Sequence, residues 1–115
     1  MSARTVVDLS KIERRFSERA LVGKQEAFAK RVAFEMRDYV PVDEGTLRDS
    51  EPLASDYASG TLEWQTPYAK RVHDMPQSSI KKEKNPNARS HWPEEAKKER
   101  LGSWEEFGRK LMEER

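Results

Sequence analysis

At 115 residues the chain suits one domain with a modest core, about 65% of the unfolded surface being buried at this size. Hydrophobic residues make up 35% and charged residues 37%, which fits either a polar, helix-rich monomer or a subunit that completes its core against neighbours. The net charge of +1 gives no global pull toward nucleic acid or membrane, and the lack of cysteine excludes disulfides, thiolate metal sites and cysteine nucleophiles.

Charge is unevenly spread along the chain. Residues 41–68 hold 6 acidic groups against 1 basic, and residues 69–91 hold 6 basic against 2 acidic. A solvated surface does this by chance; so does a ring subunit whose opposite edges attract. The N-terminus carries no long apolar run, so neither a signal peptide nor a membrane span is expected, and the predicted compartment is cytosol-like.

In chain order, residues 1–8 read as an unanchored arm. Ser10-Lys11-Ile12-Glu13 then reads as a capping box. Ile12, Phe16 and Ala20, followed by Leu21, Phe28, Val32, Met36 and Tyr39, recur at helical spacing. The pattern predicts one long helix over about 11–39, loosened at Gly23 and ended by Pro41, which biases Val40 away from the helical region. Asp43-Glu44-Gly45 follows as a turn in which Gly45 is expected at positive φ.

Two strands are predicted next, "SEPLASDY" and "TLEWQT", joined by a turn at Gly60. Leu62 and Trp64 alternate with polar Glu63 and Gln65. Pro52 cannot donate to a ladder, so the first strand is an edge or starts late. Pro67 can open a short helix that turns Tyr68, Ala69 and Val72 inward. Residues 74–91 lack periodicity and read as a long flexible loop. Pro93, Glu94 and Glu95 suit the start of a helix that stops at Leu101-Gly102, and Ser103-Trp104-Glu105-Glu106 reads as a second capping box. A last helix carries Trp104, Phe107 and Leu111. The predicted core is Phe28, Val32, Met36, Leu62, Trp64, Trp104 and Leu111.

Catalytic signatures are missing. His73-Asp74 is a fragment that a metal or base site could use, but its spacing to other ligands fits no short metal motif. Glu94-Glu95 and Glu105-Glu106 are explained by helix N-terminal charge, since adjacent helix positions point about 100° apart. No phosphate loop, nucleophile elbow or zinc signature occurs, and neither enzymatic activity nor a cofactor is expected. Lys81, Lys82, Lys84 and Arg89, near Trp92, form the alternative: a basic loop with an aromatic, able to hold phosphate and stack a base in a small nucleic-acid-binding protein.

One stretch carries more. Pro41-Val42-Asp43-Glu44-Gly45-Thr46-Leu47-Arg48-Asp49-Ser50 follows a helix. Pro67-Tyr68-Ala69 comes later, then Val72 and His73. Asn85-Pro86-Asn87-Ala88, Trp92, Ala96-Lys97 and Trp104 follow in order. Together these resemble a tailed-phage minor capsid or tail-completion family of the head–tail joining module, over about residues 10–110. The motif residues are Pro41, Val42, Asp43, Gly45, Leu47, Arg48, Ser50, Tyr68, His73, Trp92 and Trp104. Ser50-Glu51-Pro52 departs from the apolar or β-branched strand start expected there.

The resemblance implies an α+β fold with a long N-terminal helix, a small antiparallel hairpin or sheet and C-terminal helices. It implies a non-enzymatic virion component made in the host cytoplasm and placed at the neck or tail top. Its implied partners are other neck and tail proteins and copies of itself in a hexameric or dodecameric ring, close to packaged DNA and with no membrane.

Overall fold

The computed structural model describes residues 4–12, 24–42, 46–82 and 85–113. Its elements are β1 (Arg4–Asp8), α1 (Gln25–Met36), α2 (Thr46–Ala54), β2 (Thr61–Gln65), α3 (Ala69–Asp74) and α4 (Trp92–Glu113). Three short 3-10 turns, Arg37–Tyr39, Tyr57–Ser59 and Gln77–Ser79, join them. No described helix is long and apolar enough to cross a membrane.

The α+β class agrees with the sequence reading, but the elements are distributed differently. The long N-terminal helix is not found: α1 has 12 residues, Ser10 to Ile12 form a separate helical start, and residues 13–23, with Glu13, Phe16 and Gly23, lie outside the described residues. The arm is corrected too. Arg4–Asp8 is a strand, antiparallel to β2, with Thr5 opposite Trp64 and Val7 opposite Leu62. Thr5 and Val7 are half-buried while Val6 faces out, as a two-residue period requires of a half-buried strand. Leu9 N–H extends the ladder to Gly60 O at 2.9 Å.

The segment read as the first strand is the helix α2. Pro52 lies inside it and removes one helical donor. Ser50 reconciles the segment with both neighbours. Its hydroxyl donates to Leu47 O at 2.7 Å and accepts from Gln65 N–H at 3.1 Å, tying the helix to the free edge of β2. What remains of the expected hairpin is the single bridge Asp56–Thr61, closed by Gly60 at φ 77°.

α4 runs for 22 residues through the predicted stop at Leu101-Gly102. Gly102 is exposed with open space around it, so its only cost is the backbone entropy of one glycine, about 1 kcal/mol. Ser103 is therefore not a cap. α4 lies antiparallel to α1: Lys24 Nζ donates to Leu111 O, Phe28 stacks on Phe107, and Trp104 reaches Glu35.

All seven predicted core residues are buried, in a cluster with Leu9, Ile12, Tyr39, Val40, Leu47, Ala69, Trp92 and Ala96. Trp64 has 0% exposure and meets Trp92 edge to face at 5.7 Å. That geometry suits two indoles, whose positive edges seek negative faces.

Candidate functional site

The end of α1 sets the geometry. Val40 precedes Pro41 and takes extended φ, ψ of −73°, 128°, which leaves the last carbonyls of the turn without helical partners. The segment expected to be a flexible loop supplies them. Asn85 Nδ2 donates to Asp38 O at 3.0 Å and Val40 O at 2.9 Å, and Arg89 N–H donates to Tyr39 O at 2.9 Å. Gln77 closes the same segment on itself, donating to Ala88 O and accepting from Ser90 N–H. Ile80 and Ala88 are buried. The described residues of this aperiodic stretch thus find partners within their own chain.

With this segment in place, a groove of about 380 Å³ opens beside Pro41. It is lined by Pro41, Val42, Leu47, Tyr68, Val72, Met75 and Ile80, with the exposed Arg71, Ser79 and Lys81 at the rim. Four motif residues, Pro41, Val42, Leu47 and Tyr68, therefore meet on one surface although they are spread over two parts of the chain. Leu47 is buried beneath it, whereas Pro41, Val42 and Tyr68 remain half-exposed. Asp43 and Gly45 lie outside the described residues, so the expected turn there is not described. Arg48 sits one position beyond Leu47, and its buried Nε has no hydrogen-bond partner among the described residues.

The basic loop is divided. Lys81 and Lys82 are exposed, and Lys84 lies outside the described residues. Arg89 is committed elsewhere: it pairs with Glu99 and stacks over the Tyr39 ring at 5.3 Å. Trp92 is fully buried. It cannot stack a base, so the aromatic that the nucleic-acid alternative relied on is removed.

A charged seam runs between α1 and α4. Glu35 is buried and accepts from Arg31, Arg100 and the Trp104 indole. Burial alone would raise its carboxyl, but the hydrogen bonds from Arg31, Trp104 and Arg100 outweigh that and hold it below the usual range. Tyr39 donates to Glu99 and lies under Arg100; burial and that carboxylate push its hydroxyl up. Trp104, a motif residue, thus has a structural role.

His73 has surroundings that its local sequence did not announce. Its Nδ1 lies 2.6 Å from Asp74 Oδ1 and its Nε2 lies 2.9 Å from Glu94 Oε2. His91 comes beside it, ring centroids 4.7 Å apart. Ligand-type atoms of His73, Asp74 and His91 all lie within 4.8 Å of one another. Hydrogen bonds from Lys70 and then His73 pull the Asp74 carboxyl down to about 2. The loop closure that returns residue 91 to residue 73 is what the spacing of the motif could not reveal.

A family model for minor capsid proteins matches residues 3–112, nearly the whole chain. The chain belongs to the minor capsid protein family. Comparisons with curated proteins and with solved structures give no match. Membership confirms the resemblance carried by the Pro41–Ser50 stretch and makes the protein a structural component of phage virions that associates with other virion proteins. In this minor capsid protein the motif divides by role. Leu47, Ser50, Trp92 and Trp104 hold the fold, while Pro41, Val42 and Tyr68 shape a surface.

Proposed function

We propose that this minor capsid protein is a non-enzymatic ring subunit at the head–tail junction, joining capsid to tail at the neck or tail top. The observation that carries the reading is the convergence of Pro41, Val42 and Tyr68 on one half-exposed apolar groove. Residues serving only the fold have no reason to meet at the surface, whereas a groove of this size accepts one or two side chains of a neighbour. The rim is basic, with Arg71 and Lys81, and residues 41–68 hold 6 acidic groups against 1 basic. Copies arranged head to tail would bring these opposite charges together. Leu53, 92% exposed, is an apolar side chain that such a neighbour would cover.

The experiment is electron microscopy of lysates from phage carrying Val42→Asp, with Leu53→Asp as a companion that cannot disturb the fold through burial. Filled heads accumulating beside separate, normal tails are expected from both. Joined, infectious particles in normal yield from both would reject the placement.

A further inference from the structure

We propose that His73, Asp74 and His91 form a binding site for a divalent transition metal of the zinc, cobalt or nickel type, with Glu94 orienting His73 from outside the ligand set. The inference is independent of where in the virion the protein sits.

The first argument is proton bookkeeping on His73. Carboxylates face both of its nitrogens, Asp74 at Nδ1 and Glu94 at Nε2. A neutral imidazole has one N–H and can satisfy only one of them. The other carboxylate must face either a second ring proton or a cation that replaces it. With Nε2 held against Glu94, Nδ1 is the nitrogen that faces Asp74. A carboxylate on the far nitrogen of a histidine is the arrangement that orients metal-bound imidazoles and raises their basicity.

The second argument is the third ligand. His91 stands at φ 53°, the one described non-glycine residue at positive φ. Its N–H donates to His73 O at 2.8 Å, and Trp92, next in sequence, is locked in the core. Those two anchors hold a conformation that L residues adopt at a cost, and they bring the His91 ring to the last turn of α3. The positive end of α4 would oppose a cation here, but Glu94 and Glu95 lie in its first turn.

Two imidazoles and one carboxylate suit zinc, cobalt, nickel or copper rather than magnesium or calcium, which take oxygen ligands. Zinc–nitrogen distances are about 2.0–2.1 Å, so a tetrahedral set needs its donors somewhat over 3 Å apart. The Nδ1–Oδ1 pair at 2.6 Å must widen to seat a metal between its atoms, and the third donor closes from within 4.8 Å. Three protein ligands leave a fourth position for water or for a group from another chain.

The test is calorimetric titration of the untagged full-length chain with Zn²⁺, and Co²⁺ absorption in parallel. One metal per chain is expected, with a rise in Tm under Zn²⁺ and none under Mg²⁺. His91→Asn keeps a residue that tolerates positive φ, and His73→Gln keeps a polar side chain; both should lose binding while retaining the metal-free Tm within a few degrees. Glu94→Ala should weaken affinity about 10- to 100-fold. Failure of the native chain to bind Zn²⁺ or Co²⁺ would overturn the proposal. So would binding undiminished in both histidine variants, or equal stabilisation by Mg²⁺.

Discussion

Trp104 donates its indole N–H to the Glu35 carboxylate at 2.9 Å, joining two helices whose contact residues are 69 positions apart. The bond is buried, so it matters chiefly through what happens when one partner is removed. Glu35→Ala strands the indole and leaves Arg31 and Arg100 without their shared acceptor. The expected loss is about 1–3 kcal/mol by urea denaturation, the cost of an unsatisfied buried donor.

The same carboxylate predicts a pH dependence. Its folded value lies below that of an ordinary glutamate, so its stabilisation is fully present above the unfolded value and is lost as pH falls through the lower folded value. The stability gap between the native chain and Glu35→Gln should be constant from neutral pH down to about 5 and shrink below about 4.5. A gap that widened in acid would contradict the assignment.

Asn85 secures the end of α1 with a single amide. Asn85→Asp removes both donors and sets a negative charge beside two carbonyls. It should cost more than Asn85→Ala, itself worth about 1–2 kcal/mol. Thermal melts of the two variants give the order, and a milder effect from aspartate would show that the amide bonds are unimportant.

Gly60 sits at φ 77° in the turn into β2. Gly60→Asn should be tolerated, whereas Gly60→Val should cost about 1 kcal/mol or more, because a β-branched residue resists that backbone region. Equal Tm values for the two would mean that the turn relaxes.

Phe28 and Trp64 are both fully buried members of the core cluster. Truncating either to alanine should cost about 3–5 kcal/mol, a large part of the stability of a small domain. Val6→Ala, on the outer face of the same sheet, is the control and should cost well under 1 kcal/mol by the same denaturation measurement.

The sequence was most legible where period and burial coincide. Leu62 and Trp64 alternate because one face of β2 is buried, and Phe28, Val32 and Met36 recur because one side of α1 is. What was not legible depends on distant partners. Arg4–Asp8 is too short to announce itself, and becomes a strand only because β2 offers an edge. Ser50-Glu51-Pro52 already fitted poorly as a strand start, and the bonds of Ser50 to Leu47 and Gln65 show the segment as a helix tied to β2. Gly102 argued for a stop, but Ala96, Trp104 and Leu111 bury enough apolar area on both sides of it to carry the helix through. At the surface, the motif did not reveal that Pro41 and Tyr68 line one groove. His91 could not be joined to His73 before the intervening segment was seen to fold back.

The pairing of β1 with β2 also bears on how the protein is made. The ribosome releases the amino-terminal strand first, and its complement emerges only after α1 and α2 have been synthesised. Trp92, which packs on Trp64, and Trp104 come later still. Throughout that interval Val6 and Val7 have no β2 to pair with, which leaves them open to a second nascent chain. Slow translation through the second half of the message would lengthen this exposure, so yield of soluble protein should respond to codon choice after residue 65 more than before it.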